Sequence, residues 1–248
     1  MLAIIGGSGL TQLANLEVTH RQVVRTPYGE ASGALTFGRL KGREVVFLAR
    51  HGYGHTIPPH KVNYRANIWA LHAQQAKHVV AVASVGGIRA DLGPGSLAVP
   101  AQIIDYTHGR EFTFFGATDR GVTHIDFTEP YHEPLRMRLL DAAKLAGEKI
   151  VAGGTYAATQ GPRLETAAEI DRLERDGADM VGMTGMPEAA LAREIGLPYA
   201  AIAVVVNHAA GRGSSAHGIQ LADINAASRE AMARVRAILE KLVEADGS

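Results

Sequence analysis

The chain contains no cysteine. That excludes disulfide bonds, thiolate nucleophiles and cysteine-ligated metal centres together. It has no excess of one charge either: 25 Lys and Arg against 25 Asp and Glu leave a formal net charge of zero. Such a balance argues against nucleic acid or an anionic membrane as the main partner, while leaving room for a local anion site. No apolar run approaches the ~18 residues needed to cross a bilayer. Leu2-Ala3-Ile4-Ile5 passes directly into glycines, too short a stretch for the core of a signal peptide. A soluble, cytoplasmic protein is the expectation. Internal repeats, low-complexity tracts, charge runs and linkers are missing too. The whole chain, residues 1–248, is therefore expected to form one domain.

Some 46% hydrophobic residues and 28 glycines suit a well-cored protein with many tight turns. Short runs rich in Val, Ile and Ala recur at 2–5, 44–49, 78–84, 178–183 and 199–206. Their hydrophobicity is continuous rather than alternating, as in strands covered on both faces. Helical patterns fall between them, at about 63–76, 133–146, 165–175, 187–195 and 221–244. In the last, Met232, Val235, Leu239 and Leu242 follow the spacing of one buried helix face. This alternation predicts an α/β fold, with a central mixed, largely parallel sheet flanked by helices. Ligands in such sheets bind beyond the carboxyl ends of the strands, where the motifs of this chain stand.

The first motif is Ile4-Ile5-Gly6-Gly7-Ser8-Gly9-Leu10, a strand entering a glycine turn. Its backbone can approach a ligand closely and Ser8 adds a hydroxyl, although a plain tight turn reads the same way. A dinucleotide fingerprint is disfavoured, because Gln12 stands where the third glycine belongs. Next, Arg50-His51-Gly52 ends a strand. An arginine fork there can hold phosphate and His51 can donate beside it, or Arg50 can belong to a structural ion pair. His51, His55 and His60 raise the thought of zinc. Gly52, Gly54, Pro58 and Pro59 break any helix that would align them, so no metal is expected. In Val181-Gly182-Met183-Thr184-Gly185-Met186-Pro187-Glu188, Thr184 reads either as a helix cap or as an anion ligand at a helix start. Glu165 after Gly161-Pro162-Arg163-Leu164 reads by itself as a first-turn helix acid.

Taken together with Val204-Val205-Val206-Asn207-His208-Ala209-Ala210-Gly211, these motifs resemble the trimeric purine nucleoside phosphorylase/methylthioadenosine phosphorylase family, in the same order over nearly the whole chain. The resemblance implies the nucleoside phosphorylase fold, no cofactor, and inorganic phosphate as co-substrate. It implies phosphate contacts at Ser8, Arg50, His51, Ala83, Ser84 and Thr184. Ala83 departs from the pattern, since a hydroxyl residue is common there. Base and sugar contacts would come from Glu165, Asn207, Ala209, Leu164, Val85, Gly86 and Met183. Leu164 stands where an aromatic often packs on the base. His124 matches a residue that family members lend to a neighbour's site, which implies a homotrimer or a pair of trimers.

Within that family the Glu165 and Asn207 positions tend to carry Glu and Asn in 6-oxopurine enzymes, and Ser and Asp in adenine-specific ones. Glu165 would accept the ring N1–H and Asn207 would meet O6 and N7, with His51, Glu165 and Asn207 the residues expected to carry the reaction. Ordinary nucleoside phosphorylases place a His about fourteen residues after that Asn; here the count reaches Leu221, flanked by Ile219 and Ile224. These residues suit a 5′-methylthio group, or they are simply helix core. His217 lies nearby on a loop rich in glycine and serine, residues 211–218. The expected reaction is phosphorolysis of S-methyl-5′-thioinosine to hypoxanthine and 5-methylthioribose 1-phosphate. The alternatives are action on inosine and guanosine, action on methylthioadenosine, a non-catalytic nucleoside- or phosphate-binding protein and, least favoured, an oxidoreductase.

Overall fold

The computed structural model describes residues 1–116 and 121–245, apart from the side chain of Asp223. The remaining positions of the expected 1–248 domain lie outside the described residues. Among the described residues, eleven strands form one mixed sheet. In chain order they are β1 (Leu2–Gly6), β2 (Glu17–Gln22), β3 (Leu35–Leu40), β4 (Arg43–Ala49), β5 (His78–Gly87), β6 (Leu97–Val99), β7 (Gln102–Asp105), β8 (Val151–Ala152), β9 (Thr155–Ala158), β10 (Met180–Gly182) and β11 (Tyr199–His208). The helices are α1 (Tyr64–Ala73), α2 (Glu133–Leu145), α3 (Ala167–Arg175), α4 (Gly185–Glu194) and α5 (Leu221–Ala245).

The main path through the sheet runs β2-β3-β4-β1-β5-β10-β9-β7, with β11 on β5 and carrying β6 and β8 beyond it. β1 lies parallel to both β4 and β5, and β11 is parallel to β5, so four strand ends point the same way. Alternate residues along β1 feed opposite cores. Ala3 and Ile5 pack with Ile68 and Leu71 of α1 and Leu191 of α4. Leu2 and Ile4 pack with Leu139 of α2 and Val235 and Leu239 of α5. Both faces are thus covered by helices, which is why these strands read as unbroken apolar runs. A third, smaller core sets Ile170 and Leu173 of α3 against Ile88, Ala157 and Val181.

The five predicted strand runs and five predicted helices all correspond to elements. Six strands have no counterpart among those runs: β2, β3, β6, β7, β8 and β9. β2 is exposed at every position, and β6 and β8 have three and two residues. None of these presents an apolar run long enough to read.

The pairing of β11 with β5 is irregular at one point. Val205 pairs with Val85 and then Asn207 with Gly86, so Val206 is an extra residue in the ladder. Such a bulge breaks the in–out alternation and re-aims the side chain after it. That side chain is Asn207.

Candidate active site

A cavity of about 640 Å³ opens over the carboxyl ends of β1, β4, β5 and β11. Its floor begins at the Gly7–Gly9 turn. A Cβ at Gly7 would stand 2.5 Å from the Val82 carbonyl oxygen and 2.9 Å from Arg50 Nη1. Gly9 has φ +81°, and a Cβ there would meet Ser228 Oγ at 2.1 Å. Only glycine lets this turn lie so close to its neighbours.

Arg50 follows β4 and is fully buried against Glu188, which is also fully buried. Arg50 Nε donates to Glu188 Oε2 at 2.7 Å and Nη2 donates to Oε1 at 2.8 Å. Nη1 donates to the Val82 carbonyl at 3.0 Å. Glu188 Oε1 also accepts the Tyr199 hydroxyl at 2.8 Å. The guanidinium is therefore a structural ion pair and a cavity wall at once, and one N–H on each terminal nitrogen remains for a ligand. Burial works against its charge, but Glu188 more than offsets this and raises its pKa above the ordinary value.

His51 follows directly. Its Nδ1 lies 2.8 Å from the Ile57 carbonyl oxygen, which can only accept, so in the neutral ring Nδ1 carries the proton and Nε2 is an acceptor. Burial first, and the charge of Arg50 second, push its pKa down to about 4. The expected donor therefore has the opposite polarity: at neutral pH, Nε2 can accept a proton but has none to give. Ser8 Oγ pairs with His55 Nε2 at 2.8 Å, and Ser84 Oγ donates to the Ser8 carbonyl at 3.1 Å.

Thr184 precedes α4 and makes no side-chain cap hydrogen bond, which removes the capping alternative. Met186 has non-helical angles (φ −119°, ψ 142°), so the regular helix begins beyond it and Thr184 sits in a turn ahead of the helix, not at its dipole. Its backbone N–H donates to the Tyr156 hydroxyl at 3.3 Å, and the residue lines the cavity wall.

At the other end of the cavity stand Glu165 and Asn207. Thr159 Oγ1 donates to Glu165 Oε1 at 2.6 Å. Asn207 Nδ2 donates to the His208 carbonyl at 2.6 Å, which fixes the amide and leaves Oδ1 and one N–H unspent. Val85, Gly86, Leu164, Met183 and Ala209 complete this end, and Ala83 lies between it and Arg50. Ile219, Leu221 and Ile224 form the wall toward α5. Leu221 is 68% exposed and so is no core residue, whereas Ile224 also packs partly against the α5 core. Among the described residues, no three His, Cys, Asp or Glu side chains group as metal ligands.

The phosphorylase superfamily model matches residues 1–244. The chain belongs to that superfamily. A probable S-methyl-5′-thioinosine phosphorylase of Pseudomonas syringae pv. tomato is 54% identical over 243 residues, covering 98% of each chain. A 6-oxopurine nucleoside phosphorylase of Pyrococcus furiosus is 46% identical over 215 residues, covering 85% of this chain and 80% of the relative. Among solved structures, methylthioadenosine phosphorylase from Schistosoma mansoni in complex with adenine superposes with a TM-score of 0.94. It is 35% identical, and the match covers 99% of this chain and 91% of that one.

Of the site residues expected in this superfamily member, all but His124 line the one cavity. His124 is exposed in the segment before α2, away from the cavity of its own chain. His217 is exposed as well and does not line it.

Some supporting residues are invisible to motif reading. Glu188 has a legible signal: an acid among the apolar residues of Met186-Pro187-Glu188-Ala189-Ala190-Leu191 is either exposed or paired. Arg110 has none. It is buried, and its guanidinium donates to the carbonyls of Met183 (2.9 Å), Met186 (2.6 Å), Thr159 (3.2 Å) and Gln160 (3.0 Å). One side chain thus ties the turn after β10 to the turn after β9.

Proposed function

We propose that the chain catalyses phosphorolysis of S-methyl-5′-thioinosine, releasing hypoxanthine and 5-methylthioribose 1-phosphate. The observation that carries this reading is one cavity holding Glu165 and Asn207 at one end and the apolar wall of Ile219, Leu221 and Ile224 beside them. A carboxylate accepts the N1–H of a 6-oxopurine. The unspent Asn207 atoms suit the same ring, with the N–H donating to O6 and Oδ1 accepting from a protonated N7. Polar groups that a bound base buries in this way can reject the wrong base by roughly 10⁴-fold.

Phosphate sits against the two free N–H groups of Arg50, with Ser8, His51, Ala83, Ser84 and Thr184 lining the same cavity around it and the acceptor Nε2 of His51 suited to a protonated phosphate oxygen. As the bond from C1′ to the purine nitrogen breaks, a phosphate oxygen forms the new bond to C1′. Positive charge on the sugar is met by the phosphate; negative charge entering the purine is offset by a proton taken up from solvent at N7, whose N–H Asn207 Oδ1 accepts, while Glu165 holds the N1–H in place. This is preorganised electrostatics and positioning. No metal or organic cofactor takes part. The working form is a homotrimer or a pair of trimers in the cytoplasm, each chain lending His124 to a neighbour. Supporting that assembly, Val122, two residues before His124, is 84% exposed.

A second reading, action on inosine and guanosine, is favoured by Asn225 and Ser228 in the same α5 wall. Ser228 Oγ is buried without a hydrogen-bond partner among the described residues and could serve a 5′-hydroxyl. The deciding measurement is phosphate-dependent base release from methylthioinosine, inosine and methylthioadenosine, compared by kcat/KM. Preference for methylthioinosine supports the proposal, preference for inosine removes the apolar 5′ site, and preference for methylthioadenosine overturns the base assignment. Asn207→Asp combined with Glu165→Ser is expected to move preference toward methylthioadenosine.

A further inference from the structure

Glu165 stands between two hollows. One is the cavity already described. The other, of about 500 Å³, is lined by Glu165 and Thr159 together with Arg163, Arg172, His108 and Gln160. A half-buried glutamate in that position has two places to put its carboxylate; the second hollow also holds Glu169, with Arg163 paired to it and Arg172 paired to Asp176. What holds Glu165 is Thr159, the residue just past β9. Its backbone is tied on both sides: the N–H donates to Gly182 O at 2.8 Å, and the carbonyl accepts Arg110 Nη2 at 3.2 Å. The hydroxyl has a single proton and two acceptors in reach, Glu165 Oε1 at 2.6 Å and the Gly182 carbonyl at 3.3 Å. The nearer, charged oxygen takes it, since hydrogen bonds to ionised acceptors are the shorter and stronger ones.

We propose that Thr159 is a positioning residue that aims the free oxygen of Glu165 at the base, and so sets the preference for 6-oxopurines over 6-aminopurines. The proposal rests on the reading of Glu165 as the base contact. An acceptor fixed at ring N1 attracts the N1–H of a 6-oxopurine and faces the lone pair of a 6-aminopurine, so both attraction and rejection depend on where that oxygen points. A carboxylate free to turn into the second hollow weakens both together.

The test measures kcat/KM for methylthioinosine and for methylthioadenosine in Thr159→Val, Thr159→Ser, Glu165→Ala and the double variant Glu165→Ala/Thr159→Val. Thr159→Val keeps the shape and removes the donor; it is expected to lower the oxo-to-amino ratio about tenfold or more. Thr159→Ser, which keeps the hydroxyl, is expected to stay within about threefold of the parent. In the Glu165→Ala background the valine substitution should change the ratio no further. Thr159→Ala carries the same test if the valine variant does not fold. The proposal is overturned if the hydroxyl-free variant keeps the parental ratio, if Thr159→Ser falls as far as it does, or if the valine effect persists without Glu165. A parental ratio in Glu165→Ala instead overturns the underlying base assignment, which separates the two failures.

Discussion

His51 shows how little of a side chain's role lies in its identity. The same imidazole would be a cation or a donor elsewhere; here burial, Arg50 and the Ile57 carbonyl make it a neutral acceptor. The shift has a consequence for stability. Unfolded, the ring titrates near 6.5; folded, near about 4. Between those values the unfolded chain binds a proton that the folded chain refuses, so stability present above pH 6.5 is lost as pH falls toward 4. The loss is on the order of 3 kcal/mol, at about 1.4 kcal/mol per pKa unit. Urea unfolding at pH 7 and near pH 4.5 is expected to show this drop, and His51→Asn should make the profile shallower. It will not become flat, because burial lowers His78 and His132 in the same direction.

At the scale of elements, the first turn of α5 is a wall more than a support. Leu221 begins the helix and lines the cavity while 68% exposed, whereas Val235, Leu239 and Leu242 further along are buried in the core. Leu221→Asn is therefore expected to leave the unfolding midpoint nearly unchanged. The same substitution should reduce the preference for methylthioinosine over inosine by about tenfold, the scale of one apolar contact in a substrate pocket. An unchanged preference would show that the methylthio group does not rest there. The helix was legible from its apolar spacing, and β1, β4, β5, β10 and β11 from their unbroken apolar runs, because both faces of these strands are covered. β2 was not, since Glu17 to Gln22 bury nothing. The residues that meet in the cavity were legible as motifs at strand ends, with the family resemblance supplying what each would touch. Partners reached through tertiary folding were not. Glu188 meets Arg50 across 138 positions of sequence, and Arg110 gathers carbonyls, which any residue could offer. The bulge at Val206 left no trace either, because an extra valine in a run of valines looks like more strand.

At the scale of the molecule, no contiguous piece of the chain contains the site. The glycine turn at Gly7 comes with the first strand, Arg50 with the fourth, Thr184 after the tenth and Asn207 at the end of the eleventh. β1 is hydrogen-bonded to β4 and β5, so the Gly7 turn and the strand ends beside it can assemble from the first part of the chain, while Thr184 and Glu188, the partner of Arg50, come later. The base end waits for β11, which pairs with β5 across more than a hundred intervening residues. Non-local pairings of this kind form slowly, since the loop must close before the contact stabilises it. During vectorial synthesis the nascent chain therefore presents its glycine turn long before the cavity around it can close, and catalytic competence waits for its last strand.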